Sequence, residues 1–211
     1  MYQPFYQNVL CTVYTDLYCL DKDVICYDGD IKRGSTMSLI VYASKKGTSK
    51  QYALLLSEIT NVHVVDVESL QYANPYKRLI FIAPMYAGKI YGLKQFIESV
   101  PLDENCKLLV GVVGAHNPRN LEVVEQAERA VTNALPTHVR DISVHLLRGD
   151  YKHSKLTMME RVLMFGIKKK IEATKPENVS VFEREMLEFI GKDVNFFDVK
   201  YLDPLIEWIE Q

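Results

Sequence analysis

One stretch decides the fold class of this chain: Leu39-Ile40-Val41-Tyr42-Ala43-Ser44-Lys45-Lys46-Gly47-Thr48-Ser49. It begins with a short apolar run typical of a buried strand, continues into a polar loop, and leads into residues 49–60, which repeat apolar side chains at helical spacing. A strand–loop–helix turn directs backbone N–H groups and the positive end of the helix dipole outward. We therefore expect a phosphate-binding loop here, with Ser49 able to cap the helix.

The residue types of this loop suit a phosphate, although its spacing excludes two common phosphate motifs. A Gly-x4-Gly-Lys-Ser/Thr pattern is absent, and a single glycine does not make a dinucleotide fingerprint. Hydroxyl donors and lysines accompany a glycine that permits a tight bend. The predicted phosphate-binding residues are Ser44, Lys45, Lys46, Gly47, Thr48 and Ser49.

Strand and helix patterns alternate over the rest of the chain. Continuous Val/Ile/Leu strands between helices favour a parallel sheet covered on both faces. Pro84 is expected to close the third strand. The predicted strands are 39–43, 62–67, 78–83, 107–114 and 142–147, and the predicted helices are 49–60, 93–99, 121–134, 181–190 and 202–209.

A second loop carries a specific resemblance: Ala83-Pro84-Met85-Tyr86-Ala87-Gly88-Lys89-Ile90-Tyr91-Gly92. The form Ala-Pro-x-Tyr-Ala-Gly-Lys resembles the flavin-contacting loop of the flavodoxin superfamily, in the branch containing menaquinone-dependent protoporphyrinogen oxidase. The first loop resembles the flavodoxin signature Ser/Thr-x-Thr-Gly-x-Thr, with Lys46 in place of one hydroxyl residue. The likeness extends over about residues 39–211.

This resemblance implies an α/β, flavodoxin-like, doubly wound five-stranded parallel sheet of order 2-1-3-4-5, with FMN bound at the switch point between the first and third strands. Gly88 would let backbone approach the flat ring, while Tyr86 and Tyr91 either stack on it or pack as half-buried residues. A third loop, 115–120, closes the site, and its His116 either hydrogen-bonds the flavin or is a solvated loop histidine. Besides the phosphate loop, the expected cofactor-binding residues are Met85, Tyr86, Ala87, Gly88, Lys89, His116 and Asn117.

Residues 148–175 form an insertion after the fifth strand that a plain flavodoxin lacks. Its eight Lys/Arg and three Asp/Glu give a charge of +5. This basic amphipathic helix either packs with a solvated face at residues 168–170, contacts an anionic membrane surface, or recognises an acidic partner or substrate. The expected apolar stripe is Leu156, Met159, Leu163, Ile167 and Ile171, widened by Met158, Val162 and Phe165.

The function expected from the resemblance is an FMN-binding oxidoreductase or electron-transfer protein, with a quinone-linked enzyme similar to protoporphyrinogen oxidase as the most specific form of that expectation. The partner would be a redox protein, a quinone or a tetrapyrrole. Small electron-transfer flavodoxins are strongly acidic, whereas residues 37–211 are formally neutral, which counts against that alternative. The other alternative is a flavodoxin-like module that lacks FMN and acts through a protein partner. No side-chain acid or base can be named as catalytic.

Residues 1–36 differ in composition from the rest, being rich in Tyr, Cys and Asp. We interpret them as an added element or as translation from a start codon placed too early, with the flavodoxin-like domain at 37–211. The spacing of Cys11, Cys19, Cys26 and Cys106 matches no metal or redox motif, so no metal is expected. The start of the chain does not resemble a secretory signal, so we expect a cytoplasmic protein. A net charge of −2 gives no indication of nucleic-acid binding.

Overall fold

The computed structural model describes residues 38–70 and 76–211. The prediction for the N-terminal segment 1–36, and those for Cys11, Cys19 and Cys26, lie outside these ranges. The flavodoxin-like domain predicted for 37–211 contains every element given below.

Five parallel strands, as the sequence predicts, and one short antiparallel strand form a six-stranded sheet. The strands are β1 (Ser38–Tyr42), β2 (Val64–Asp66), β3 (Arg78–Tyr86), β4 (Lys89–Ile90), β5 (Lys107–Gly114) and β6 (Asp141–Arg148). The order β2-β1-β3-β5-β6 is parallel throughout, and β4 pairs antiparallel with the end of β3. With β4 set aside as a hairpin strand, this confirms the predicted order 2-1-3-4-5.

Six α-helices, three short 3-10 helices and a small two-stranded sheet complete the described structure. The helices are α1 (Thr48–Thr60), α2 (Leu93–Ser99), α3 (Leu121–Thr132), α4 (Met158–Ala173), α5 (Val181–Phe189) and α6 (Asp203–Glu210). The small antiparallel sheet joins β7 (Tyr151–Lys152) to β8 (Asp193–Val194). The cap expected at Ser49 is wrong: α1 begins at Thr48 behind Gly47, and no side chain caps it.

The central strands β1, β3 and β5 are buried on both faces, which explains their uninterrupted apolar runs, whereas the edge strands β2 and β6 are mostly half-buried. On one face Phe81 of β3 stacks on Phe96 of α2, with ring centroids 4.6 Å apart. On the other face α1 packs on β1 and β3 beside α6. Leu205 of α6 approaches Gly111 of β5 closely enough that a Cβ there would lie 3.5 Å from its side chain.

Pro84 does not end the third strand, which continues to Tyr86. Pro84 is paired in the parallel ladder with Val113 of β5. The ladder between β1 and β3 ends earlier, at Tyr42 and Ile82. The missing N–H of Pro84 is tolerated because Pro84 lies past the last residue paired with β1, while its carbonyl accepts from the Tyr91 N–H at 2.9 Å.

The insertion helix α4 buries only part of its predicted apolar stripe. Leu156 and Ile171 are buried, but five apolar side chains are 60–84% exposed. Packing against the rest of the domain therefore does not account for all the apolar residues of this helix. One side of the helix is covered, but its apolar residues extend onto the exposed side. We refer to these five residues, Met158, Met159, Val162, Leu163 and Phe165, as the outer face of α4.

Candidate functional site

The loops after β1 and β3 meet at the carboxyl edge of the sheet, as expected for adjacent parallel strands. The Lys45 ammonium lies 4.5 Å from the ring centroid of Tyr91 and 5.3 Å from that of Tyr86. At Gly92, an added Cβ would lie 2.6 Å from the Cβ of Ala43, so glycine is required for this close approach. The structure thus brings the two predicted loops together.

The N-terminus of α1 is open to a ligand. Gly47 has a φ of +101°, and an added Cβ there would meet nothing within 4 Å. The Gly47 N–H donates to Ser44 Oγ at 3.1 Å, while Ser49 is buried in the first turn. The first N–H groups of a helix have no partner within it. Because no side chain caps α1, these donors, the helix dipole and two lysines suit a phosphate.

The second loop is a tight hairpin between β3 and β4. Its two central residues, Ala87 and Gly88, have φ angles of +48° and +75°. Positive φ at both positions is the conformation that a two-residue hairpin turn requires. The turn places Tyr86 opposite Lys89 at the rim of the site. Burial raises the pKa of Tyr86 to about 12, with help from the nearby carboxylates of Glu160 and Asp150.

The third loop is held in place by contacts with α5 and is not a freely solvated loop. His116 Nδ1 lies 3.3 Å from Glu185 Oε2, and the ring stacks on Phe182 at 4.0 Å. The Asn117 N–H donates to the same carboxylate oxygen at 3.1 Å. Burial lowers the pKa of His116, against the opposing effect of Glu185. The solvated-loop interpretation of His116 is therefore wrong, while its contact with a flavin stays a prediction.

Comparison with known families agrees with this geometry. Residues 39–180 match the family model described as Flavodoxin domain. The chain belongs to this family. The match includes all three loops and the insertion helix of the flavodoxin domain. Among curated proteins, none matches the sequence significantly.

Several solved structures are similar to part of the flavodoxin domain. A putative flavoprotein from Bacteroides uniformis is 13% identical over 55% of this chain and 92% of its own, with a TM-score of 0.44. A flavoprotein from Lactobacillus acidophilus, solved in complex with FMN, is 13% identical over 54% of this chain and 93% of its own, with a TM-score of 0.35. The azoreductase AzrA is 12% identical over 53% and 86%, with a TM-score of 0.36.

Two cavities lie near the carboxyl edge of the flavodoxin domain. The smaller, about 90 Å³, is lined by Met85, His116 and apolar residues of β5 and β6. Ligand pockets usually span about 300–1,000 Å³, so this cavity is too small to enclose a flavin ring. The larger, about 570 Å³, lies along β6 and is lined by Arg119, His145 and Tyr201, among others.

Sequence reasoning missed two carboxylates of the insertion that contact the first loop. Thr48 Oγ1 donates to Asp150 Oδ1, and the Lys46 ammonium lies 3.8 Å from Glu160. A signal for Asp150 was present, since it follows a strand at the edge where sites of such sheets collect. Nothing in the sequence pointed to Glu160, whose approach depends on how α4 folds back.

Across the described ranges, no helix is long and apolar enough to cross a membrane. In the same residues, no group of three or more His, Cys, Asp or Glu side chains is arranged to hold a metal ion. Cys106 is a free, buried thiol, and burial raises its pKa to about 11.

Proposed function

We propose that this flavodoxin domain binds FMN non-covalently and acts as an oxidoreductase. The observation that carries the proposal is the uncapped N-terminus of α1, with Gly47 in a left-handed conformation, beside the Tyr86 hairpin. Residues 44–49 would hold the phosphate, while residues 85–89 and 116–117 would flank the ring. Bound FMN would supply the redox chemistry, while the protein would supply binding and orientation.

Binding is tested by adding FMN to the purified chain and measuring its Kd. Gly47→Val should weaken FMN binding at least tenfold, because the new side chain projects into the open space where the phosphate would lie. Gly191→Val is the matched control: Gly191 has a φ of +89° and open surroundings, but it follows α5. Both glycines have a positive φ and open surroundings, so both variants carry left-handed backbone strain and a difference in FMN binding points to the site.

Two results would contradict the proposal. One is a colourless protein that takes up no added FMN. The other is a Gly47→Val variant that binds FMN as tightly as the parent. Released flavin should be identified after denaturation, since a single phosphate cradle is expected to select FMN over FAD.

At a finer level we propose a quinone-linked enzyme resembling menaquinone-dependent protoporphyrinogen oxidase. A quinone takes up two electrons and two protons to become a quinol, and a reduced tetrapyrrole would donate them. The support is the outer face of α4, whose five apolar side chains would suit a lipid-soluble molecule or the bilayer that contains it. Lys169 and Lys170 are also exposed, toward the end of the same helix.

The insertion would then be a peripheral membrane contact, because apolar side chains flanked by lysines bind anionic bilayers. The full chain should co-float with vesicles containing anionic lipid, and less so at high salt. Leu163→Ser combined with Phe165→Ser should reduce flotation. Leu121→Ser is the control, since Leu121 is 75% exposed but lies on α3.

Replacing Lys168, Lys169 and Lys170 together with Gln should also lower vesicle binding or quinone-dependent turnover, while FMN content stays unchanged. Lys168 and Lys169 pair with Glu172 at 3.9 and 3.3 Å, so of the three lysines Lys170 should contribute most to vesicle binding. Flotation that is independent of both the outer face and the lysines would contradict a membrane contact. A parent with no quinone-linked activity would limit the proposal to FMN binding.

A second candidate is a module that does not use FMN and acts through a protein partner. The contacts of Asp150 with Thr48 and of Glu160 with Lys46 favour it, because they place negative charge at the predicted phosphate loop. Failure to bind FMN together with capture of a specific protein partner would support this alternative.

A further inference from the structure

The turn that leads into the insertion reaches back onto the first loop. The Gly149 N–H donates to the Gly114 carbonyl at 2.7 Å. An added Cβ at Gly149 would lie 2.8 Å from Val113 and 3.2 Å from Thr48, so only glycine fits. This close packing presses the following residue, Asp150, against the N-terminus of α1.

Asp150 is held in place by two partners. One carboxylate oxygen accepts from Thr48 Oγ1, and the other lies 2.6 Å from the Lys152 ammonium. The Asp150 side chain is only 11% exposed. Burial would raise its pKa, but the bonds from Lys152 and Thr48 outweigh burial and hold the pKa below its usual value. Asp150 is therefore ionised and held beside the loop in an ion pair with Lys152.

Glu160 places a second, weaker negative charge at the same loop. It lies 3.8 Å from Lys46 and is 43% exposed, so solvent screens it more than Asp150. Its carboxylate also accepts from the Thr157 N–H in the capping box that begins α4. Its position is thus set by the insertion and not by the first loop.

We propose that Asp150 is a specificity-determining residue, which sets how strongly the first loop prefers a phosphorylated ligand to the same ligand without phosphate. This rests on the proposed FMN site. A phosphate monoester carries about −1.5 to −2 charges at pH 7. It would accept a hydrogen bond from the same Thr48 hydroxyl that donates to Asp150. Thr48 can donate its single proton to only one of them. A carboxylate within about 4–6 Å of the phosphate would also disfavour the charged form of that phosphate.

Riboflavin separates this effect from flavin binding in general, because it lacks the phosphate. The Kd of the full chain for FMN and for riboflavin should be measured by flavin fluorescence at one pH and salt concentration. Asp150→Asn should tighten FMN binding at least about tenfold, the lower end of a like-charge effect at this range. Riboflavin binding should change by less than about twofold.

Two further variants make the test specific. Asp193→Asn is the matched control: Asp193 also anchors the insertion, accepting from Ser154 N at 2.8 Å and from Ser154 Oγ at 2.5 Å, and it pairs with Lys152 in the small sheet rather than with the first loop. Its FMN-to-riboflavin preference should equal that of the parent. Glu160→Gln, which can keep the capping box, should tighten FMN binding about two- to threefold, less than Asp150→Asn because Glu160 is more exposed.

The outcomes distinguish this inference from the proposed function. If the parent binds FMN but Asp150→Asn leaves the FMN-to-riboflavin ratio unchanged, the role of Asp150 is refuted and FMN binding stands. An equal change for both flavins also refutes it. If the parent binds neither flavin and Asp150→Asn gains FMN alone, the inference is supported. If no form of the protein binds FMN, both proposals fail. Should Asp150→Asn not fold, the Glu160→Gln ratio decides, and an unchanged ratio counts against the proposal.

Discussion

The two sides of α4 should differ sharply in what they contribute to stability. Leu163 lies on the outer face and is 60% exposed, whereas Ile171 on the same helix is 2% exposed. Fully burying a leucine side chain stabilises a protein by about 1.5–3 kcal/mol. With less than half of Leu163 buried, Leu163→Ala should cost no more than about 1 kcal/mol.

Ile171→Ala should cost considerably more. Removing a buried isoleucine side chain costs about 2–5 kcal/mol, because the lost contacts leave a cavity. Alanine has a high helix propensity, so neither change should damage the helix itself. For a chain of this size, about 1 kcal/mol corresponds to a Tm shift of about 2–4 °C.

Urea unfolding of the full chain, followed by circular dichroism, measures both variants against the parent. The expected result is a small shift of the midpoint for Leu163→Ala and a large one for Ile171→Ala, with unchanged slopes. Equal losses would refute the reasoning, since they would mean that the outer face of α4 is covered. A concentration-dependent midpoint in the Leu163→Ala series would identify a second copy as the cover.

Three further outcomes follow from the described residues. Gly92→Ala should cost about 2–4 kcal/mol of stability, since its Cβ would lie 2.6 Å from that of Ala43 at a φ of +75°. Gly166→Ala, in a helix with open surroundings, should instead stabilise the protein by about 0.5–1 kcal/mol, and thermal unfolding compares the two variants. Burial lowers the pKa of His145 in the folded state, so its contribution to stability is present above pH ~6.5 and is lost as the pH falls through the lower folded-state pKa. Urea unfolding should therefore show a smaller change in the free energy of unfolding between pH 7.5 and pH 5.5 for His145→Gln than for the parent. The Cys106 thiol is buried with its pKa raised to about 11, so peptide mapping after iodoacetamide treatment at pH 8 should find it unmodified in native protein and modified in urea; rapid native modification would contradict its burial.

Local patterns alone determined the sheet. Apolar runs between helical segments predicted five buried strands, and the loop at residues 44–49 predicted which strand end would hold a site. The strand predictions succeed because strand patterns depend on residues close together in the chain, while the site at this loop stays a prediction. The sequence did not, however, reveal that β3 extends through Pro84, since that depends on where β1 ends.

Only the tertiary structure decided which groups surround the first loop. Asp150 lies 102 positions from Thr48 along the chain, and Glu160 is far from Lys46, so no periodicity or motif links them. The same holds for His116, whose partner Glu185 comes from α5. The apolar stripe of α4 predicted a buried face, yet an amphipathic pattern does not say which neighbour covers it. Burial and charge pairing at a site depend on contacts between residues far apart in the chain, and a helix or strand pattern carries no information about such contacts.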